Sequence, residues 1–347
     1  MPTYVLDGGN TTRLPARPLT LRVQGAPCEL RATVAGQPAE QAILPAAGTL
    51  VLPRIDDDVE VAVVPLGADE FGAGSRLTVT IGSDVRGEVD PERAVLSGVD
   101  VSGLRRRELV VIRSEGSRVA ITAQGRRVEA PLSPLATAAR DLCRSVLGAE
   151  ALPPAEQGSL ALLIDTSASM HLPLSVGAAA VATEILVGVG RVYAPDETPQ
   201  VYAGSTDRSV AGGDDPIAAV TEQVTGAEDS SGFDPSHLVS SAAGQVWVML
   251  TDGLVAATPP EVHPMVAVRP STWQVMEHRL PGASPLWCDL TPEQVGQAES
   301  PAAELIREQL LADPNSLRVA VLPLLRRVLT DERAAQLGLA EAGVANR

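Results

Sequence analysis

Residues 159–169 read Ser-Leu-Ala-Leu-Leu-Ile-Asp-Thr-Ser-Ala-Ser. The run Leu160–Ile164 is apolar without alternation, which describes a strand buried on both faces and so a parallel sheet covered by helices on both sides. Asp165-Thr166-Ser167-Ala168-Ser169 follows directly, at the strand's carboxyl end, where open α/β sheets gather their ligands. A long apolar helix pattern covers Leu174–Val192. Further strands are expected at PQVYAGS (199–205), QVWVMLTDG (245–253), VHPMVAV (262–268) and SPLWCDL (284–290). Helical patterns lie between and after them, at Pro216–Val224, Pro235–Ala243, Pro301–Ala312 and Leu317–Leu329, the last interrupted by Pro323. Fraying is expected from Ala334 onward. This alternation predicts a doubly wound, mostly parallel sheet over 156–300, with the helices of 301–347 packed on it or appended.

The upstream region has the other periodicity. PLTLRV, CELRATV, GTLVLP, VEVAVVPL, SRLTVTIG, ELVVIRS and SRVAITA are short, rich in β-branched residues and separated by turn residues. They predict an all-β sandwich or barrel over 1–132, with a hairpin at Glu115-Gly116. Ser133-Pro134 opens a helix, with Ser133 as N-cap and Pro134 in the first turn. Its apolar positions include Cys143, which therefore reads as core. Residues 133–155 form this helix and a linker ending near Pro153-Pro154.

The 347 residues suggest two domains. Hydrophobic residues make up 45%, while aromatics are only 2%, so Val, Leu and Ala must fill the cores. No apolar run is long enough for a membrane span, and the start shows no secretory pattern. Cys28, Cys143 and Cys288 lie far apart, as reduced thiols would in a cytoplasmic protein. All 27 basic residues are arginine. Average usage would give roughly twenty lysines; a GC-rich coding sequence is the expected cause, with selection against lysine modification as the alternative.

The net charge of −16 is uneven. Residues 156–300 hold 18 acids against 4 bases, whereas 1–155 hold 19 against 17 and 301–347 hold 6 of each. Such a field disfavours nucleic acid and anionic lipid, and favours cations or a basic protein surface. Acids crowd 207–234, seven against one arginine. Asp207, Asp229 and Asp234 are the candidates there for meeting a partner, with a solvated rim as the plainer alternative.

Asp165, Ser167 and Ser169 put a carboxylate and two hydroxyls on one tight loop. These are hard oxygen ligands of the type Mg²⁺ prefers. Asp252, in Thr251-Asp252-Gly253 at the end of a second buried strand, could join them directly or through water, with Gly253 turning the chain away. In these residues the chain resembles the von Willebrand factor A family over about 156–290. The carriers are the DxSxS pattern after a buried strand, the apolar helix pattern behind it, and TDG, whose Asp252 lies 87 residues after Asp165.

The resemblance implies a doubly wound sheet with a metal-ion-dependent adhesion site, holding Mg²⁺ or Mn²⁺ and completed by an Asp or Glu from a protein partner. The family's loop threonine has no counterpart. The corresponding loop here is GAEDSSGFDPS (226–236), where Ser231 or Ser230 stands in and Thr206 is a further candidate. A β-domain ahead of such a domain is distantly similar in layout to tellurite-resistance proteins.

The expected function is a cytoplasmic adaptor or scaffold rather than an enzyme. Alternatives are a structural subunit with a vestigial metal site and a metal-dependent phosphohydrolase. The last would need a positioned base, and only His171 is close in sequence. No GxSxG elbow is present. The histidines and cysteines lack zinc spacing, and GAGS (72–75) and VGVGR (187–191) are not phosphate loops. Trp247 reads as core, while Trp273 and Trp287 fall in a less regular region. Asp56-Asp57-Asp58 reads as a charged loop, with calcium binding as the alternative.

Overall fold

The structure, a computed structural model, describes residues 2–83, 91–124, 132–204, 239, 245–253, 261–288 and 302–339. The chain divides into two compact units, Met1–Pro131 with Gly148–Glu150, and Leu132–Leu147 with Ala151–Arg347. No described sheet mixes strands from the two.

The first unit is all β among its described residues. Its strands are β1 (Thr3–Leu6), β2 (Thr11–Pro15), β3 (Leu19–Gly25), β4 (Cys28–Val34), β5 (Gln37–Pro38), β6 (Ile43–Ala46), β7 (Thr49–Leu52), β8 (Val59–Pro65), β9 (Arg76–Ser83), β10 (Arg93–Asp100), β11 (Arg107–Glu115) and β12 (Arg118–Ala123). They form two six-stranded sheets, ordered β1-β10-β9-β3-β7-β6 and β2-β12-β11-β8-β4-β5. All pairings are antiparallel except that of β1 with β10 at one edge. Alternate residues point inward, so Leu19 and Leu21 of one sheet and Val59, Val61 and Val63 of the other enter one shared core.

The hairpin expected at Glu115-Gly116 is present, with Glu115 opposite Arg118. Strands β1, β2 and β10 carry weaker alternation and escape the sequence reading; β1 exposes three of its four residues. In the charged loop, Asp56 and Asp58 are ion-paired to Arg54 and Arg113.

The second unit begins with α1 (Pro134–Leu147). Ser133 caps it, accepting a hydrogen bond from the Ala136 amide at 3.2 Å. After β13 (Ser159–Ile164) come a 3-10 turn (Ala168–Met170), α2 (His171–Ser175) and α3 (Ala178–Tyr193). The remaining elements are β14 (Gln200–Ala203), β15 (Gln245–Thr251), β16 (Val262–Val268), α4 (Pro270–Arg279), β17 (Ser284–Trp287), α5 (Ala302–Ala312), α6 (Pro314–Val328) and α7 (Asp331–Gln336).

The five strands are all parallel, in the order β14-β13-β15-β16-β17. Leu160, Leu162, Val248, Leu250 and Met265 share the face that carries α3 and α6, and α1 and α5 pack in the same helical layer. Ala161, Leu163, Trp247, Met249 and Val262 form the opposite face. On that side α4 packs Met276 against Val266 and Val268. The two expectations of a β-domain and of an α/β unit with a parallel sheet and helices are both met.

Four local expectations are corrected. The helix pattern over Leu174–Val192 is not one helix: Gly177 sits at φ 88°, and the chain bends by 72° between the Ala168–Ser175 segment and α3. A side chain is strained at that φ, and a Cβ there would lie 2.5 Å from the Ala303 Cβ. Pro323 does not interrupt α6, which runs through it. The region of Trp273 and Trp287 is regular, since the first lies on α4 and the second on β17, their rings meeting edge to face at 5.9 Å. Ala334 is fully buried inside α7, whose N-cap Thr330 accepts from the Arg333 amide, and the Leu339 amide donates to the Ala334 carbonyl at 2.8 Å, so order persists through 339; residues 340–347 lie outside the described residues. The helices expected at Pro216–Val224 and Pro235–Ala243 lie outside the described residues, apart from Val239. No single described helix is long and apolar enough to cross a membrane.

Candidate metal and partner site

Strand β14 lies on one side of β13 and β15 on the other. The chain passes from β13 to β14 on one side and from β15 to β16 on the other, so the two connections diverge at the carboxyl ends of β13 and β15, where open α/β sheets form a crevice. Asp165 and Thr251-Asp252 stand on its two lips.

Asp165 is 2% exposed. Its backbone amide continues the sheet by donating to the Leu250 carbonyl at 3.0 Å. Its carboxylate is held at both oxygens: the Ser167 amide donates to Oδ1 at 2.9 Å, and the Thr251 hydroxyl donates to Oδ2 at 3.0 Å. A buried carboxylate needs such donors, because an unpaired charge in this position would be costly. Each oxygen keeps a second lone pair for a cation or a metal-bound water.

Ser167 is half-buried and Ser169 exposed, with their hydroxyls 3.2 Å apart. Adjacent ligands of an octahedral ion at ~2.1 Å lie about 3.0 Å from each other. The serine pair therefore fits one cation with a small adjustment, and the donor set of carboxylate and hydroxyl oxygen suits Mg²⁺ or Mn²⁺. Asp252 is half-buried on the neighbouring strand end. The structure thus brings Asp165, Ser167, Ser169 and Asp252 to one crevice. Ser231, Ser230, Thr206, Asp207, Asp229 and Asp234 lie outside the described residues.

Thr251 is the contributor that the sequence reading passed over. Its hydroxyl donates to Asp165 and accepts from the Gly253 amide at 3.2 Å, tying the two lips together. A hydroxyl at the last position of a buried strand, directly before a candidate ligand, was the available signal. Gly253 turns the chain as expected, at φ 88°, and a Cβ would lie 1.9 Å from the Met276 Cε.

His171 is exposed. Among the described residues no three His, Cys, Asp or Glu side chains cluster as metal ligands, so a cation here would depend on the serines. Cys143 and Cys288 are buried, and desolvation pushes each thiol up to about 12, which removes them as nucleophiles. His263 is held neutral: burial, reinforced by the nearby Arg327 charge, pushes it down to about 3. It forms a 2.9 Å hydrogen bond with Ser284.

Behind the crevice, a buried ionic tie joins three helices. Arg307 of α5 donates through Nε to Glu184 Oε1 of α3 at 2.6 Å, and the Ser133 hydroxyl at the head of α1 donates to Oε2 at 2.6 Å. Glu184 is 1% exposed. Both of its oxygens are thereby satisfied, which fixes α3 behind the loop that carries Ser167 and Ser169.

Comparison with protein-family models, with curated proteins and with solved structures returns no match for this chain.

Proposed function

We propose that the second unit is a von Willebrand factor A-type domain whose crevice holds Mg²⁺ or Mn²⁺ and docks a carboxylate of a protein partner, making the chain a metal-dependent adaptor. The observation that carries this reading is the 3.0 Å hydrogen bond from Thr251 to Asp165. It joins the DTSAS and TDG segments, 87 residues apart by Asp165 and Asp252, at the crevice between two parallel strands. Asp165, Ser167 and Ser169 would hold the ion, Asp252 would act directly or through water, and Ser231 would supply the further hydroxyl. When bound, the ion supplies an electrophilic position for an external carboxylate.

The protein groups act as a rigid cradle. Thr251 and the Ser167 amide fix the Asp165 carboxylate, and the two serines add oxygen donors without adding negative charge. Such a site leaves more of an ion's charge for the incoming carboxylate than a ring of acids would. Basic residues around the partner's acidic ligand would complement the negative field of 156–300 and speed association. A cytoplasmic setting suits the separated, buried thiols.

The test is affinity capture by the full chain in Mg²⁺ and in chelator, beside Asp165→Ala. Capture that needs both the ion and Asp165, with circular dichroism unchanged, supports the proposal. Equal capture by the variant, or capture indifferent to chelator, removes the metal site from the interface.

A further inference from the structure

At the opposite end of the sheet, the amino ends of β16 and β17 overlie a cleft of about 740 Å³ between α4 and α6. That size is in the range of small-molecule sites. Its walls differ in charge. Glu277 of α4 and Arg318 of α6 both line it and are both exposed, yet neither takes part in an ion pair among the described residues. Arg326, also lining it, is engaged by Asp331. His263, also in the lining, stays neutral and bound to Ser284.

The α6 wall carries a second polar feature. Pro323 lies inside the helix and has no amide hydrogen, so the Val319 carbonyl lacks the donor that a continuous helix would give it. Both residues line the cleft. Trp273 and Leu322 supply apolar surface between these polar points.

We propose that this cleft is a second ligand site, taking a small dipolar molecule of the amino-acid or short-peptide class. Arg318 receives the carboxylate, with two guanidinium N–H groups matching its two oxygens. Glu277 and the Val319 carbonyl accept from the ammonium group. Trp273 and Leu322 cover the apolar side chain. An anion alone would leave Glu277 facing it, and a cation alone would face Arg318; only a ligand with both charges satisfies both walls. The cleft lies at the other ends of the strands from Asp165, so this inference stands apart from the metal reading.

The experiment is calorimetric titration of the full chain with three probes of similar body: L-phenylalanine, 3-phenylpropionate and 2-phenylethylamine. L-phenylalanine is expected to bind saturably at one site, about tenfold tighter than either singly charged probe. Arg318→Ala should weaken L-phenylalanine and 3-phenylpropionate about tenfold and leave 2-phenylethylamine unchanged. Glu277→Gln should weaken L-phenylalanine and 2-phenylethylamine and leave 3-phenylpropionate unchanged. Both positions are exposed, so the fold is preserved. Absence of saturable L-phenylalanine binding, affinities indifferent to both substitutions, or a singly charged probe binding as tightly as L-phenylalanine would overturn the proposal.

Discussion

The two units bury different kinds of residue. Among the described residues the first unit buries three polar side chains, Thr20, Ser102 and Arg107, whereas the second buries ten, including Asp165, Thr166, Glu184, Thr251, His263 and Ser284. Burying a polar group costs free energy unless its partners come with it. The β-unit limits that cost with a Leu/Val core: its buried charge among the described residues, Arg107, is ion-paired with Glu150, and pairs such as Arg13–Glu115 lie at its surface. The α/β unit accepts it, and the hydrogen bonds on Asp165 and Glu184 show where the compensation lies. The contrast separates a sandwich specified by shape from a unit whose interior also fixes charges in place.

The largest expected effect belongs to the β-unit's apolar core. Leu21→Ala removes a side chain with no exposure, and the resulting cavity should cost ~2–5 kcal/mol in denaturant unfolding while leaving divalent-ion binding unaltered. A cost below ~1 kcal/mol would mean that the sandwich core is loosely packed and the contrast overdrawn.

Next is the buried ionic tie. Arg307→Ala strands the Glu184 carboxylate in the interior, with an expected loss of about 3 kcal/mol. Replacing both partners, Arg307→Leu with Glu184→Leu, should recover much of it, since the charge needing compensation is gone. If the single and double variants are equally destabilised, packing rather than charge fixes the α1–α3–α5 layer.

The smallest effect is a pH dependence confined to the α/β unit. The folded His263 titrates near 3 and an unfolded one near 6.5. Between those values the unfolded chain binds a proton that the folded chain refuses, so the histidine's contribution is present above about pH 6.5 and declines as pH falls. Wild-type stability measured against His263→Gln should fall by up to about 2 kcal/mol between pH 7 and pH 5. A difference independent of pH would show that His263 is not held neutral by burial.

What the sequence revealed divides along the same line. Runs such as Arg76–Ser83, where Leu77, Val79 and Ile81 are buried and the residues between them are not, announce a half-buried strand, and Leu160–Ile164 announces a fully buried one, because burial pattern is itself the signal. Edge strand β1 shows almost no pattern, since three of its residues face solvent. Helix α4 also escapes notice: PSTWQVMEHR buries Met276 and leaves most of its surface polar. The bend at Gly177 hides in a periodic stretch because its cause, the approach of Ala303 from 126 positions away, is tertiary.

In the site, the residues with ligand chemistry were legible from type and spacing. The role of Thr251 was not, because it depends on strand order placing β15 beside β13.

The most direct test of the account is calorimetric titration of the full chain with Mn²⁺ and Mg²⁺, in wild type and in Asp165→Asn. The substitution keeps the side chain's shape and one carbonyl acceptor while removing the charge. The account predicts one divalent ion per wild-type chain and at least about a tenfold loss of affinity in the variant, with the fold retained by circular dichroism. No divalent binding to the wild type, or equal binding by a folded Asp165→Asn, would contradict it.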